Sequence, residues 1–203
     1  MTTTIGEAGA SLVGERIAVI GNTSAGKSTL AARLAAAIGG VHVELDALYW
    51  LPDWTHSETA EFQAKIRAAI EGQPRWASSG NYITRGQPVL WPQADTVVWL
   101  DMPLPTILRR VVARSWQRHR SGELLWGTNT EDFWSHLKLW NTEESLIAFA
   151  IRYHRTKQRQ FIAEFHDPRW AHLRKYRLRS PEAVERFASR VERESSVSQP
   201  VTP

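Results

Sequence analysis

Residues 16–28, RIAVIGNTSAGKS, decide the fold of this chain. The apolar run 16–20 ends at a glycine and is typical of a buried strand. Residues 21–28 then match the pattern G-x-x-x-x-G-K-[ST] at every fixed position. The alanine- and leucine-rich segment 30–38 has high helix propensity and ends at two glycines. This order predicts a phosphate-binding loop, although the pattern alone would arise by chance in about one chain of this length in 100.

Each fixed position of the phosphate-binding loop has a physical reason. Gly21 lets the chain turn sharply off the strand, and Gly26 lets backbone N–H groups approach phosphates without an obstructing Cβ. Successive amides and the N-terminus of the following helix attract anions. We expect Lys27 to contact the β- and γ-phosphates and the Ser28 hydroxyl to coordinate Mg²⁺. The predicted ATP-binding residues are Gly21, Asn22, Thr23, Ser24, Ala25, Gly26, Lys27, Ser28 and Thr29.

Length and composition favour one α/β domain of 203 residues. Hydrophobic residues make up 42% and charged residues 23%, which excludes a disordered or fibrous chain. The absence of cysteine excludes disulfides, thiolate zinc sites and a thiol nucleophile. The formal net charge is +4 and most of the basic residues are arginines, whose planar guanidinium groups suit phosphate oxygens. Composition therefore favours an anionic ligand.

Further strand candidates alternate with helical segments along the chain, at 41–45, 75–78, 95–100 and 172–178. This alternation predicts a parallel sheet covered by helices on both faces. We expect a flexible leader at 1–14, one domain at 15–194 and a disordered tail at 195–203. Because the sequence shows neither a long apolar run nor a signal-peptide pattern, we expect a cytoplasmic protein that does not contact a membrane.

Four segments outside the phosphate-binding loop resemble the adenylate-kinase-like family that includes proteins labelled topology modulation protein. They are ELDALYW at 44–50 with Trp54, GNY at 80–82, LDMP at 100–103 and RVVAR at 110–114. The resemblance covers most of residues 16–190. It implies a nucleoside-monophosphate-kinase type of fold with a five-stranded parallel sheet, an acceptor-binding arm and a lid at about 115–150. It also implies ATP and Mg²⁺ as ligands.

Two aspartates follow predicted strands, at the edge where open α/β sheets bind ligands. Asp46 is interpreted as the group that accepts a proton from an acceptor hydroxyl, or otherwise as a helix N-cap. Asp101 is interpreted as a carboxylate that orients a Mg²⁺ water, or otherwise as a cap of the next turn. Relatives usually carry an acid before G-N-Y, where this chain has Ser79. Related kinases use this acid near the metal ion. Its replacement by a neutral hydroxyl either weakens catalysis or leaves Asp46 or Asp101 to supply the carboxylate near the metal.

Arginines cluster between 105 and 121 without an intervening acid. Arg110, Arg114 and Arg118 share one helical face, which favours an anionic partner over a solvated basic surface. By resemblance, Arg110 and Arg114 match lid-hinge arginines that contact the nucleotide. A second basic cluster lies further along the chain, where we expect Arg152 or Arg155 to contact the phosphates from the side of the lid.

The acceptor pocket is predicted beside the G-N-Y turn. Aromatic rings at 49, 50, 54 and 82 are able to stack on a planar or sugar acceptor, although aromatic residues near a sheet edge often belong to the core. The histidines show no spacing typical of a metal site. The predicted acceptor-binding residues are Asp46, Tyr49, Trp50, Gly80, Asn81, Tyr82 and Arg85.

Two functions from different classes are consistent with these features. The first is a kinase that transfers the γ-phosphoryl group of ATP to a nucleoside monophosphate or a hydroxylated metabolite. The second is a catalytically weak, ATP-dependent regulatory or nucleic-acid-associated protein. The modest net charge and the position of the basic residues near the predicted ATP site argue against nucleic acid as a partner. We expect a monomer or a homodimer.

Overall fold

The computed structural model describes residues 11–121, 124–126, 129 and 145–198. These residues form a five-stranded parallel sheet in the order β2-β3-β1-β4-β5, with helices on both faces. The strands are β1 (Arg16–Gly21), β2 (Val41–Glu44), β3 (Trp76–Ser79), β4 (Thr96–Leu100) and β5 (Arg174–Leu178). The helices are α1 (Lys27–Ile38), α2 (Leu45–Tyr49), α3 (Thr59–Ile70), α4 (Gln87–Leu90), α5 (Leu104–Ser121), α6 (Leu146–His166) and α7 (Pro181–Ser198). The predicted three-layer α/β/α fold of P-loop proteins is confirmed.

The apolar run of β1 is buried on both sides because successive side chains of a strand point to opposite faces of the sheet. Ile17 and Val19 pack in one core with α1 and α7. Ala18 and Ile20 pack in the other core, which contains Phe62 of α3. Continuous burial of this kind is typical of the central strand of a parallel sheet. The two cores fix the end of β1, from which the phosphate-binding loop begins.

Strand register brings the functional segments to one edge of the sheet. Val19 of β1 is paired with Ser79 of β3, and Gly21 is paired with Leu100 of β4. On the far side of β3, Ser79 is also paired with Glu44, the last residue of β2. The carboxyl ends of four adjacent strands therefore meet at the phosphate-binding loop.

Described structure extends into both the predicted leader, 1–14, and the predicted tail, 195–203. Val13 is buried in the core, and the Leu12 amide donates a 2.8 Å hydrogen bond to Oε2 of Glu194 on α7. The hydroxyl of Tyr176 donates to the Leu12 carbonyl. The helix α7 continues to Ser198, so residues 195–198 are helical. Val13 lies in the same core as Val191 of α7, a tertiary relationship that local composition does not reveal.

The predicted lid at about 115–150 lies largely outside the described residues. The structure describes its first part through the end of α5 and its last part from residue 145, and Trp134 and Trp140 fall between them. Among the described helices, none combines the length and apolar character needed to cross a bilayer.

Candidate active site

The phosphate-binding loop, residues 21–28, turns tightly at two glycines. Gly26 has φ 100° and directly precedes α1, and Gly21 has φ 152°. A Cβ on Gly21 would lie 2.7 Å from the Leu100 carbonyl oxygen, so β4 leaves no space for a side chain there. This geometry places the first-turn amides of α1, which have no intrahelical acceptor, at the concave side of the loop.

Polar groups inside the loop fit a bound phosphate. The Ser24 hydroxyl oxygen is buried, and no hydrogen-bond partner for it occurs in the part of the chain that the structure describes. The Lys27 ammonium group donates a 3.0 Å hydrogen bond to the Asn22 carbonyl across the loop. The Thr23 amide donates to Oδ1 of Asn22 at 2.8 Å, whereas Thr29 is exposed on the first turn of α1. The buried hydroxyl and the curled lysine are the donor set that phosphate oxygens require.

Lys27 interacts with charged side chains from several elements of the site. Burial lowers its pKa from 10.5 to about 8. The negative charge of Asp46 opposes this pKa shift, while the positive charges of Arg114 and Lys157 add to it. The carboxylate of Glu44 also opposes it. These interactions show that the structure gathers both carboxylates and both further cations around the predicted catalytic lysine.

Arg110 lies directly over the phosphate-binding loop. Its Nη1 donates a 2.7 Å hydrogen bond to the Ala25 carbonyl and lies 3.3 Å from the position of a Cβ on Gly26. The helix α5 buries Ile107 and Val111 against the core. This burial turns the half-buried Arg110 and Arg114 toward the loop and leaves Arg109 exposed. Two residues of the predicted arginine face, Arg110 and Arg114, therefore lie near the loop.

The Ser28 hydroxyl, predicted to bind Mg²⁺, contacts a carboxylate that the sequence analysis missed. It donates a 3.1 Å hydrogen bond to Oε1 of Glu44. The Ser79 hydroxyl lies 3.4 Å from the Ser28 hydroxyl and 3.1 Å from Nε2 of His42. Serine and carboxylate oxygens are hard ligands of the kind that Mg²⁺ prefers, and this ion commonly uses few protein ligands together with phosphates. This donor set fits a nucleotide-bound Mg²⁺, and no larger His, Asp or Glu cluster occurs among the described residues.

Asp46 lies in the first turn of α2 and accepts a 2.6 Å hydrogen bond from the Tyr82 hydroxyl. Arg85 donates to the Tyr49 hydroxyl and stacks over its ring, with the guanidinium 5.4 Å from the ring centroid. The Tyr49 and Tyr82 rings are 4.6 Å apart. Four residues predicted to bind the acceptor therefore form one continuous cluster next to the lysine site.

Exposed indole rings extend this cluster toward solvent. Trp54 is 42% exposed and contacts the rings of Trp50 and Trp126 edge to face, at 5.6 and 6.0 Å between centroids. The Asn129 side chain accepts a hydrogen bond from the Trp54 amide and donates one to the Leu51 carbonyl. Trp126 and Asn129 of the predicted lid thus contact the segment 50–54, which follows α2.

Gly80 and Asn81 of the G-N-Y turn contact α2 and the phosphate-binding loop, and they are not part of the acceptor cluster. Oδ1 of Asn81 accepts a hydrogen bond from the Gly21 amide, and its Nδ2 donates to the Gly21 carbonyl. Gly80 has φ 153°, and a Cβ there would lie 2.7 Å from Cβ of Leu45. These contacts join the turn to the phosphate-binding loop and to α2.

Asp101 does not present a free carboxylate to the phosphate-binding loop. Its Oδ2 accepts hydrogen bonds from Arg177 at 2.6 and 2.9 Å, and its Oδ1 accepts one from Gln158 at 2.9 Å. Arg177 also stacks over the Trp99 ring at 4.2 Å. The carboxylate joins β4 to β5 and α6, so these contacts favour a structural role over the predicted metal role.

The helix α6 presents a different basic pair from the predicted one. Arg152 and Arg155 are exposed. Nδ1 of His154 lies 3.4 Å from Nδ2 of Asn22, and burial lowers the pKa of the half-buried Lys157. The buried Phe161 sets this helical phase. The spacing of apolar residues in α6 is the sequence signal that indicates which face of the helix packs inward.

Comparison with known proteins finds similar folds without a matching sequence family. No family model and no curated protein matches the chain. A gluconokinase from Sinorhizobium meliloti 1021 is 14% identical with a TM-score of 0.47, and the match covers 90% of this chain and 91% of that one. A shikimate kinase from Bacteroides thetaiotaomicron is 16% identical with a TM-score of 0.41, over 90% of this chain and 96% of that one. Neither the identities nor the superpositions are high enough to assign an acceptor.

Proposed function

We propose that this protein binds ATP with Mg²⁺ and transfers the γ-phosphoryl group to a small-molecule acceptor. The acceptor is a nucleoside monophosphate or a hydroxylated metabolite. Residues 21–29 hold the phosphates of ATP, and Ser28 coordinates the metal. The acceptor binds at the cluster of Asp46, Tyr49, Tyr82 and Arg85, with Trp50 at its border.

The observation that carries the proposal is the position of Lys27 between two oppositely charged groups of residues. Arg110 and Arg114 approach the phosphate-binding loop from α5, and Asp46 approaches Lys27 from α2. Cations near the loop suit bound phosphates in a switch as well as in a transferase. Transfer to a hydroxyl acceptor also calls for a group that accepts the hydroxyl proton, and Asp46 supplies a carboxylate for this.

The proposed transfer to a hydroxyl acceptor uses these residues in defined roles. The acceptor oxygen forms a bond to the γ-phosphorus, and the bond from that phosphorus to the β–γ bridging oxygen breaks, so ADP leaves with the electron pair. Asp46 accepts the hydroxyl proton. Lys27, Arg110 and Arg114 stabilise negative charge on the transferring oxygens. Mg²⁺ at Ser28 would supply further charge neutralisation at the phosphates.

The proposal is tested by measuring ADP release in a coupled assay across nucleoside monophosphates and small hydroxylated metabolites. We expect at least one acceptor to stimulate turnover, and we expect Lys27→Ala to abolish that stimulation. ATP binding by calorimetry is measured in parallel. Intact ATP binding without turnover on any acceptor would favour the regulatory alternative.

A further inference from the structure

We propose that Glu44 is the metal-side carboxylate of the nucleotide site, a role for which the sequence suggested Asp46 or Asp101. Glu44 would accept hydrogen bonds from the Ser28 hydroxyl and from a water on the Mg²⁺ that accompanies ATP. This inference deepens the proposed function and rests on it, because it concerns the metal of the same site.

The Ser28 contact carries the first step. A serine hydroxyl has one proton to donate and two lone pairs. This proton is donated to Oε1 of Glu44 over 3.1 Å, and the Ser79 hydroxyl donates to one lone pair of Ser28 over 3.4 Å. The second lone pair of Ser28 remains available to a cation. A carboxylate at this position therefore prepares the hydroxyl for metal binding.

The strand register explains why Glu44 reaches this position. Glu44 is the last residue of β2 and is paired with Ser79, whose hydroxyl is 3.4 Å from that of Ser28. His42 lies two residues earlier, on the same face of β2, and contacts Ser79 at 3.1 Å. Glu44 and Ser79 therefore approach Ser28 side by side from neighbouring strands. Glu44 is half-buried, which leaves room for metal-bound water.

The other two candidate carboxylates have partners elsewhere. Asp101 is bound by Arg177 and Gln158 on the opposite side of β1. Asp46 is bound by Tyr82 in the acceptor cluster. Of the three carboxylates considered, Glu44 is the one with a hydrogen bond to the predicted metal ligand.

The first experiment removes the charge of Glu44 while keeping its size. Manganese binding to the ATP complex is measured by electron paramagnetic resonance, and ATP affinity is measured by calorimetry with Mg²⁺ and with a chelator. We expect Glu44→Gln to weaken metal affinity about 10–100-fold, as loss of a partner that orients a metal ligand generally does. Metal-free ATP affinity should not fall, because a negative charge near the phosphates is lost. The control is Glu71→Gln, at an exposed residue just after α3.

The second experiment moves the carboxylate to the neighbouring strand. Because Glu44 and Ser79 are paired, the double variant Glu44→Ser with Ser79→Asp should recover metal affinity relative to Glu44→Ser alone. Thermal melting of each variant separates this effect from misfolding. Wild-type metal affinity in Glu44→Gln, with ATP still bound, would overturn this inference and leave the proposed function standing. If the wild type does not bind ATP in the presence of Mg²⁺, both are overturned.

Discussion

The Tyr82 hydroxyl donates a 2.6 Å hydrogen bond to Oδ1 of Asp46, which joins the turn after β3 to the first turn of α2. Burial, together with the negative charge of Asp46, raises the pKa of Tyr82 well above its ordinary value of 10.0. The phenol therefore keeps its proton at neutral pH and remains a hydrogen-bond donor. This contact holds the carboxylate in one orientation beside Lys27.

We expect Asp46→Asn to lower kcat about 10²–10⁴-fold with a hydroxyl acceptor, because general-base catalysis typically contributes this much. ATP affinity should change less than kcat, since the proposed role of this carboxylate is on the acceptor side. Steady-state kinetics and calorimetry measure the two quantities. Tyr82→Phe keeps the ring and removes the orienting bond, so its kcat should fall by less. A kcat equal to that of the wild type in Asp46→Asn would exclude the proposed role.

ATP binding should couple to protonation of Lys27. In the free protein its pKa is about 8, so the ammonium form is lost as pH rises through that value. The phosphates favour the charged form, and ATP affinity should therefore fall as the pH rises above about 8, by at most tenfold per pH unit. Calorimetry in buffers of different ionisation enthalpy should detect proton uptake in this range. A pH-dependence that persists unchanged in Lys27→Met would assign it to another group.

Arg114→Ala should lower kcat more than it lowers ATP affinity. A cation that stabilises charge developing in the transition state contributes about 10²–10³-fold to kcat. The matched control is Arg109→Ala, on the exposed side of the same helix, which should leave both quantities near their wild-type values. Equal losses in the two variants would indicate a general effect of positive charge on α5.

Gly26→Ala should combine backbone strain with displacement of Arg110. At φ 100° a side chain is strained, at a cost of about 1–2 kcal/mol in the free energy of unfolding. Its Cβ would also lie 3.3 Å from Nη1 of Arg110. Gly72→Ala is the matched control, because Gly72 has φ 69° and its Cβ would meet nothing within 4 Å. Chemical denaturation should show destabilisation of both variants, whereas weaker ATP binding should appear in Gly26→Ala alone.

Local sequence was sufficient to predict a parallel sheet with helices on both faces and a glycine-containing turn at residues 21–28. Residues 17–20 are apolar on both faces of the strand, and the loop pattern depends on spacing along the chain. The helical face shared by Arg110 and Arg114 was also predictable from periodicity, because α5 has a clear apolar side.

The contacts of Glu44 and Asp101 were not predictable in the same way. Ser28 and Glu44 meet because β2, β3 and β1 are neighbours in the sheet, and strand order is a tertiary property. Asp101 acquires Arg177 because Trp99 and Arg177 are paired across β4 and β5. Nothing in either segment specifies its partner strand, so a carboxylate at a strand end indicates an edge of the sheet without specifying its contacts.

The contacts of Leu12 define the limits of an expression fragment. Its backbone is bound by Glu194 near the end of α7 and by Tyr176 of β5, so the two ends of the described domain are joined. A fragment that begins after residue 12 would lose both contacts, and one that stops before residue 194 would lose the contact with Glu194. Affinity tags and fusion partners therefore belong outside residues 11–198.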